Sequence, residues 1–187
     1  NIMVFDTEVY SNTGGQASKS TPTGAVAQFA AGGKPIKKKN LAEIAMSYGY
    51  VYVAQVALGY DMNQTVKAIK EAVSYHGPSI IIGYAPCINH GIKGGMTNTP
   101  NVIKHAVMSG YWHTFRFDPR LKAEGKVPFQ MDSKNPTESY RDFIMNEVRY
   151  SSLARKFPER AEELFREAEQ QAKDKYEHWT KYAKLFE

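Results

Sequence analysis

The chain alternates short apolar runs with helical patterns, and this alternation limits the available folds more than any other feature. Residues 2–5 (IMVF), 50–58 (YVYVAQVAL) and 79–85 (SIIIGYA) have the length and composition of strands. A helix is predicted ahead of the second and the third run, with Asn40 and Asp61 as N-caps. The first run is apolar throughout, which predicts a strand buried on both faces. We therefore expect an open, mainly parallel α/β sheet.

The remaining elements follow from the same patterns. Val66, Ile69 and Val73 fall at helical spacing after Asp61. A glycine-rich loop follows Cys87, and we expect a helix over residues 101–109 behind it. Residues 111–117 (YWHTFRF) indicate a further strand, and residues 128–131 indicate a short one.

Beyond Pro136 the pattern becomes helical, and we expect a helical extension over residues 137–187 of a single domain that spans 1–187. Pro158 suits the first turn of a last helix. Apolar residues recur along that helix at heptad-like spacing, and Lys175 interrupts the series Ala161, Phe165, Ala168, Ala172, Trp179, Tyr182 and Phe186. We expect this helix to pack along the domain or against a partner.

Composition excludes some classes of protein. No apolar stretch approaches the roughly 18 residues of a membrane helix, and no secretion signal is visible, so we expect a cytoplasmic protein without a membrane partner. The basic run at residues 34–39 (KPIKKK) has no basic helix or aromatic platform beside it, so a nucleic-acid partner is disfavoured. The single cysteine, Cys87, excludes an internal disulfide. Because Asn1 leads directly into the first strand, we expect a piece of a longer protein.

The loop DTEVYSNTGGQASKSTPTG after the first strand carries the main functional signal. In open α/β sheets, ligands bind at the carboxyl ends of strands, where this loop lies. Asp6, Thr7 and the Val9 carbonyl offer the hard oxygen atoms that Mg²⁺ prefers. Gly14 and Gly15 permit backbone conformations in which amides converge on an anion. Loops of this composition also serve as plain connections, so the residues alone leave both interpretations open.

The segment DTEVYSNTGGQASKSTPTGAVAQFAAGGK closely resembles the thiamine-diphosphate domain of pyruvate:ferredoxin (flavodoxin) oxidoreductases, and the resemblance extends along the whole chain. It implies that the Thr7 side chain and the Val9 carbonyl bind Mg²⁺. It also implies that Asn12 is catalytic and faces the reactive ring of thiamine diphosphate and the substrate. The residues that line the cofactor would be Thr7, Glu8, Val9, Tyr10, Ser11 and Asn12.

A second part of the resemblance concerns APCINHGI, which is similar to the family segment that supplies the fourth cysteine ligand of a [4Fe-4S] cluster. A lone cysteine at a strand end is more often a small buried apolar residue, and the resemblance changes that expectation for Cys87. The other three cysteines, and the aspartate that completes the Mg²⁺ site, lie upstream in the family. We therefore expect this chain to be inert alone. His90, in the same loop, is expected to have a surface or hydrogen-bonding role.

The resemblance implies an enzyme that oxidatively decarboxylates pyruvate, transfers the acetyl group to coenzyme A and passes electrons through [4Fe-4S] clusters to ferredoxin or flavodoxin. It further implies a homodimeric parent enzyme in which this chain contacts the remaining domains. Two alternatives remain open. One is a related enzyme for another 2-oxo acid, and the other is a noncatalytic phosphate-binding or assembly module that uses residues 34–39 and the last helix.

Overall fold

The computed structural model describes residues 1–185, and its centre is a five-stranded sheet. In chain order the strands are β1 (Ile2–Asp6), β2 (Tyr52–Val56), β3 (Ser79–Tyr84), β4 (Phe115–Phe117) and β5 (Phe129–Met131). Their spatial order is β1-β3-β2-β4-β5. β1 and β2 are parallel to β3, whereas β4 and β5 add two antiparallel pairings at the far side. The predicted open, mostly parallel α/β sheet is confirmed.

Seven α-helices accompany the sheet within residues 1–185: α1 (Leu41–Met46), α2 (Met62–Ser74), α3 (Thr99–Met108), α4 (Arg120–Ala123), α5 (Tyr140–Met145), α6 (Val148–Lys156) and α7 (Pro158–Lys184). Two short 3₁₀ helices, Ile88–His90 and Met96–Asn98, lie between β3 and α3. The predicted N-caps are confirmed, because the side chain of Asn40 accepts from the Glu43 amide and that of Asp61 accepts from the Gln64 amide.

The prediction that the first strand is buried on both faces is wrong. β1 lies at the edge of the sheet, and Ile2 and Phe5 are 61% and 70% exposed. Every residue of β2, by contrast, is buried. An apolar run has the same composition in a central strand and in an edge strand whose apolar face meets another surface, so the run cannot distinguish the two. Among the described residues, no strand pairs with the outer side of β1.

Helix α2 also presents an apolar stripe outward. Val66, Ile69 and Val73, which indicated this helix, are exposed, and Ala68 and Ala72 contact the sheet instead. Small alanine side chains let α2 approach β2 and β3 closely. The apolar spacing therefore predicted the helix correctly, although it does not mark the face that packs on this sheet.

The predicted strand over residues 111–117 is shorter in the structure, where only Phe115–Phe117 pairs in the sheet. The Trp112 amide donates to the carbonyl of Ala106 in α3, and the Trp112 indole donates to the carbonyl of Val56. These hydrogen bonds turn the backbone toward α3, so the first part of the aromatic run lies outside the ladder.

Helices α5 to α7 form the expected helical extension, and α7 begins at Pro158 as predicted. Its apolar residues Ala161, Phe165, Ala168 and Trp179 join one core cluster with residues of the sheet, which confirms that the helix packs along the domain. Phe186, the last member of the predicted series, lies outside the described residues. In the described part of the chain, no helix combines the length and the apolar character needed to cross a bilayer.

Candidate functional site

The candidate site lies where β1 and β3 end side by side. Asp6 pairs with Tyr84 at the last register position, so the loop after β1 and the loop after β3 both begin at the carboxyl ends of the strands. At that edge the Ser11 hydroxyl oxygen is 2.8 Å from the Cys87 sulfur. The loop and the cysteine singled out from the sequence are therefore in direct contact.

The first turn of the loop brings two of the predicted oxygen ligands together. The Thr7 hydroxyl donates to the Val9 carbonyl across 3.0 Å. Glu8, between them, has a left-handed backbone conformation with φ of 60°, which is uncommon outside glycine and recurs at functional sites. Two neighbouring ligands of an octahedral Mg²⁺ site at the usual bond length are about 2.9 Å apart. The spacing of the Thr7 and Val9 oxygens therefore fits one edge of such a site.

The Glu8 side chain points into the protein, where it is almost fully buried. Its carboxylate accepts hydrogen bonds from the Lys38 ammonium at 2.8 Å, from Arg149 Nη2 at 2.8 Å and from the Tyr111 hydroxyl at 2.5 Å. Burial alone would raise the pKa of Glu8, but Lys38 and Arg149 outweigh it and lower that pKa to about 2. The carboxylate is therefore ionised, and its buried hydrogen bonds fix the position of the turn at Glu8.

A second arm of the same network supports the Thr7 backbone. His90 Nε2 donates to the Thr7 carbonyl at 2.8 Å, since a carbonyl can only accept. His90 Nδ1 lies 3.7 Å from a Glu147 carboxylate oxygen, and Arg149 Nε donates to the other oxygen of Glu147 at 2.6 Å. The hydrogen-bonding role expected for His90 is confirmed, although the side chain is fully buried and not on the surface.

Glu147, Arg149 and Lys38 were not identified by sequence reasoning. They come from the start of α6 and from the basic segment before α1, far from the loop in sequence. Nothing in their local spacing signals a buried ion-pair network, because charged residues at helix ends are normally solvated. Burial of both Glu147 and Arg149 becomes visible only in the folded chain.

Asp6 is engaged within the protein. Its carboxylate accepts from the Lys38 ammonium at 2.7 Å, from the Ser20 hydroxyl at 2.6 Å and from the Glu8 amide at 3.0 Å. A carboxylate with these three donors is not free to bind Mg²⁺ in this arrangement. Of the three oxygen donors suggested by the loop composition, the Thr7 hydroxyl and the Val9 carbonyl are therefore the pair that fits a metal.

Gly14 and Gly15 adopt backbone conformations with positive φ, 113° and 82°, which their lack of a side chain permits. Their amides do not converge on an anion, because the Gly14 amide donates to the Ser11 carbonyl and the Gly15 amide donates to the Tyr10 carbonyl. Gly15 has another role. A Cβ atom there would lie 2.8 Å from the Asn89 side-chain oxygen, so the glycine allows the loop to approach the turn that carries Cys87.

Cys87 is 5% exposed, and its sulfur receives several hydrogen bonds. The Asn89 amide and the Asn89 side chain each donate to it at 3.4 Å, besides the contact with Ser11. Burial raises the pKa of the thiol, but the hydrogen bonds from Ser11 and Asn89 outweigh burial and lower that pKa. These donors favour a thiolate, which is the form that binds iron. Within residues 1–185 no group of three or more acidic, histidine or cysteine side chains could hold a metal, so this chain offers a cluster one thiolate.

The remaining predicted site residues differ in accessibility. Val9 is buried, Tyr10 is 60% exposed, and Asn12 is exposed at the tip of the loop. Thr7, Val9, Ser11 and Cys87 are thus close together, Asn12 is accessible to a ligand, and the Glu8 side chain faces away from the loop surface. Glu8 is predicted to line the cofactor, and its side chain has a supporting position instead.

Comparisons with known proteins show which families this chain is similar to. Residues 1–82 match the family model described as thiamine pyrophosphate enzyme, C-terminal TPP binding domain. The chain is 59% identical over 183 residues to the pyruvate:ferredoxin oxidoreductase of Moorella thermoacetica, which covers 98% of this chain and 16% of the relative. It is 55% identical over 183 residues to the pyruvate-flavodoxin oxidoreductase of Klebsiella pneumoniae, with the same coverage of 98% and 16%.

A third relative carries a different name. The mitochondrial pyruvate dehydrogenase [NADP(+)] of Euglena gracilis is 54% identical over 164 residues, which covers 88% of this chain and 9% of the relative. All three names refer to pyruvate, whereas the electron acceptor differs among them. The chain spans 16% of the length of the first two relatives.

Proposed function

We propose that this chain forms part of a pyruvate:ferredoxin or pyruvate-flavodoxin oxidoreductase, because residues 1–82 match the thiamine pyrophosphate-binding family model and the chain is 59% and 55% identical to two enzymes with these names. The enzyme oxidises pyruvate to CO₂ and acetyl-coenzyme A in the cytoplasm, where a reducing environment keeps a lone thiol free. This chain contributes the loop that holds the cofactor and one ligand of a [4Fe-4S] cluster. Other parts of the enzyme contribute the remaining ligands and the pyruvate pocket.

The proposal assigns the metal-binding role to the turn at Thr7. The Thr7 hydroxyl and the Val9 carbonyl bind Mg²⁺, which neutralises the diphosphate of the cofactor. His90 and Glu8 keep these two oxygens in place, because His90 donates a hydrogen bond to the Thr7 carbonyl and the Glu8 carboxylate accepts one from Arg149. When bound, thiamine diphosphate supplies the electron sink that accepts the electrons left when CO₂ departs. Asn12, at the exposed loop tip, orients the substrate against the reactive ring.

The contact between Ser11 and Cys87 is the observation that carries the proposal. A loop that binds the cofactor and a thiolate that binds a cluster must lie close together if electrons are to leave the cofactor one at a time. The separation of 2.8 Å between the Ser11 oxygen and the Cys87 sulfur meets that requirement within a single chain. A noncatalytic phosphate-binding module has no need of a thiolate at this position.

The relatives support pyruvate as the substrate, since each of the three names contains it. They support ferredoxin or flavodoxin as the acceptor less uniformly, because the Euglena relative is named for NADP⁺. Turnover of pyruvate and of 2-oxoglutarate by the intact enzyme distinguishes the proposal from an enzyme for another 2-oxo acid. Faster turnover of 2-oxoglutarate would reject pyruvate as the physiological substrate.

Cofactor binding by the intact enzyme tests the metal assignment. We expect Thr7→Val to weaken Mg²⁺-dependent binding of thiamine diphosphate in calorimetric titrations, because the substitution removes one oxygen ligand and keeps the shape of the side chain. Thr13→Val is the matched control, since Thr13 lies in the same loop and, within residues 1–185, its hydroxyl is hydrogen-bonded only to the Gln16 side chain. Equal binding by the Thr7 variant and the wild type would refute the role assigned to Thr7.

A further inference from the structure

A cavity separate from the candidate site lies between α7, the basic segment before α1 and an aromatic wall. Its volume is about 340 Å³, which is within the range of small-ligand pockets. The aromatic wall is formed by Tyr111, Trp112 and Tyr140. Glu8, Pro22 and Thr23 are shared with the loop that follows β1, whereas none of Thr7, Val9, Ser11, Asn12 or Cys87 lines this cavity.

Lys175 reaches this cavity from the inward face of α7. The helix lines it with Ala168, Gln171, Ala172 and Lys175, and Lys175 is the polar residue that interrupts the apolar series of this helix. The Lys175 side chain is partly buried. Within residues 1–185, no hydrogen bond or ion pair to the Lys175 ammonium is formed. An ammonium group in such a position is costly without an anionic partner.

The carboxylates of the cavity wall are already engaged by other groups. Glu8 is bound by Lys38 and Arg149. Glu43 accepts from the Asn40 side chain and lies near the His178 ring. A carboxylate oxygen of Asp174 accepts from the Gln170 side chain, which draws it along the surface of α7. The described part of the chain therefore leaves Lys175 without a carboxylate partner of its own.

A second ammonium group lines the same cavity without an ion pair. Lys37 forms none within the described residues, whereas the adjacent Lys38 is paired with Asp6 and Glu8. Two unpaired positive charges suit a group that carries two negative charges. Thr23 and Gln171 also line the wall, where the Thr23 hydroxyl donates to the Gln171 side-chain oxygen and the Gln171 side-chain nitrogen donates to Glu167.

We propose that this cavity binds a small organic phosphate, with the phosphate group between Lys175 and Lys37 and the organic part against the aromatic wall. Lysine binds phosphate as a point charge, so it needs no fixed geometry to do so. Inorganic phosphate alone would fill only part of the cavity, and the aromatic side chains supply apolar surface for a larger body. Burial, with a contribution from Lys38, lowers the pKa of Lys175 to about 8, and a bound anion beside the ammonium would raise that pKa.

Apart from Glu8, the cavity has different residues from the proposed thiamine site, and it offers lysine ammonium groups where that site offers oxygen ligands for a metal. The inference therefore goes beyond the proposed function, and either can fail without the other. The loop at Thr7 is the other place proposed to hold phosphate groups, so the experiment uses a variant in each place. Lys175→Gln removes the charge in the cavity, and Thr7→Val alters the loop.

Isothermal titration of the full chain with inorganic phosphate and with phenyl phosphate tests the proposal. We expect phenyl phosphate to bind more tightly than inorganic phosphate. We expect Lys175→Gln to raise both dissociation constants by about tenfold or more, which is the scale of a lost charge-assisted hydrogen bond. Lys173→Gln is the matched control, because Lys173 is exposed on the same helix and paired with Glu169. It should bind as the wild type does, and so should Thr7→Val.

Two results would overturn the proposal. One is an absence of binding of either probe to the wild type. The other is that Lys175→Gln binds the probes as tightly as the wild type does. If Thr7→Val loses binding instead, the phosphate is bound at the loop after β1. Thermal unfolding of each variant shows whether it is folded. If Lys175→Gln does not fold, Lys175→Met, which suits the apolar seam of α7, is titrated in its place and is held to the same criterion.

Discussion

Ser11 is the residue through which the loop contacts Cys87. In a cluster-bound state the Cys87 sulfur is a thiolate, so the Ser11 hydroxyl is the donor across the 2.8 Å contact. Hydrogen bonds to cluster sulfur stabilise the reduced cluster and raise its reduction potential. We therefore predict that Ser11→Ala lowers the midpoint potential of one cluster in the intact enzyme, measured by redox titration with EPR detection. Thr13→Val should leave all potentials unchanged, and an unshifted potential in Ser11→Ala would contradict the assigned hydrogen bond.

The Asn12 side chain is exposed and, within residues 1–185, makes no hydrogen bond that would hold the loop, so we propose that it acts on the substrate instead. We predict that Asn12→Ala lowers kcat by about 100-fold, the scale of a misplaced substrate, while thiamine diphosphate stays bound. Steady-state kinetics and cofactor content of the purified intact enzyme provide the measurement. Wild-type turnover would remove Asn12 from the active site, and loss of the cofactor would make it a binding residue instead.

The sequence allowed these residues to be named because they lie in one short segment. Thr7, Val9, Ser11 and Asn12 are within six positions of one another, and their chemistry and the family resemblance point to the same place. The supporting residues could not be found in this way. Glu8 pairs with Arg149 across 141 positions of sequence, and such a contact depends on the complete fold rather than on local spacing.

At the scale of the elements, α6 holds the turn after β1 through Arg149. We predict that Arg149→Met lowers the free energy of unfolding by about 3–5 kcal/mol, because it removes the arginine partner of the buried Glu147 and leaves Lys38 as the single cation paired with Glu8 among residues 1–185. Urea unfolding of the chain measures this change. Arg155→Met in the exposed part of the same helix should change stability by less than about 0.5 kcal/mol. Equal stabilities for the two variants would show that the network does not support the fold.

A substitution in helix α7 is predicted to raise the stability of the chain. Lys175→Met should raise the free energy of unfolding at neutral pH by about 1–2 kcal/mol, because it removes an unpaired charge from an otherwise apolar face of the helix. The gain is smaller than the free energy that corresponds to the whole pKa shift, because the ammonium contacts water in the cavity. The pKa of Lys175 is about 8 in the folded chain and 10.5 as its reference value. Between these values the unfolded chain binds more protons, so wild-type stability rises with pH.

The advantage of Lys175→Met should therefore shrink as the pH rises from about 8 to about 10.5. Urea unfolding of both proteins over that range measures the difference. The other charged or titratable groups around Lys175 are present in both proteins: Asp6, Glu8, Lys37, Lys38 and His113. A variant that is less stable than the wild type at neutral pH, or a difference that does not vary with pH, would contradict the account of Lys175.

For the whole molecule, the alternation of strands and helices was enough to predict the open sheet and the order of its elements. The position of β1 at an edge was not predictable, because the apolar residues Ile2 and Phe5 are the same whether another surface covers them or not. The outward direction of the apolar stripe of α2, at Val66 and Ile69, was not predictable for the same reason. Exposed apolar surface of this kind is typical of sites that contact other proteins or other parts of an assembly. This agrees with a chain that spans 16% of the length of the Moorella relative.

The central claim is that the loop after β1 and Cys87 form one site, in which the cofactor lies beside a cluster. EPR of the reduced intact enzyme, with Cys87→Ser compared with the wild type, tests it most directly. The account predicts that the signal of one [4Fe-4S] cluster is lost or altered while the other clusters are unchanged, because the substitution removes a thiolate ligand. A full set of unaltered, fully reducible clusters in the Cys87→Ser enzyme would contradict it.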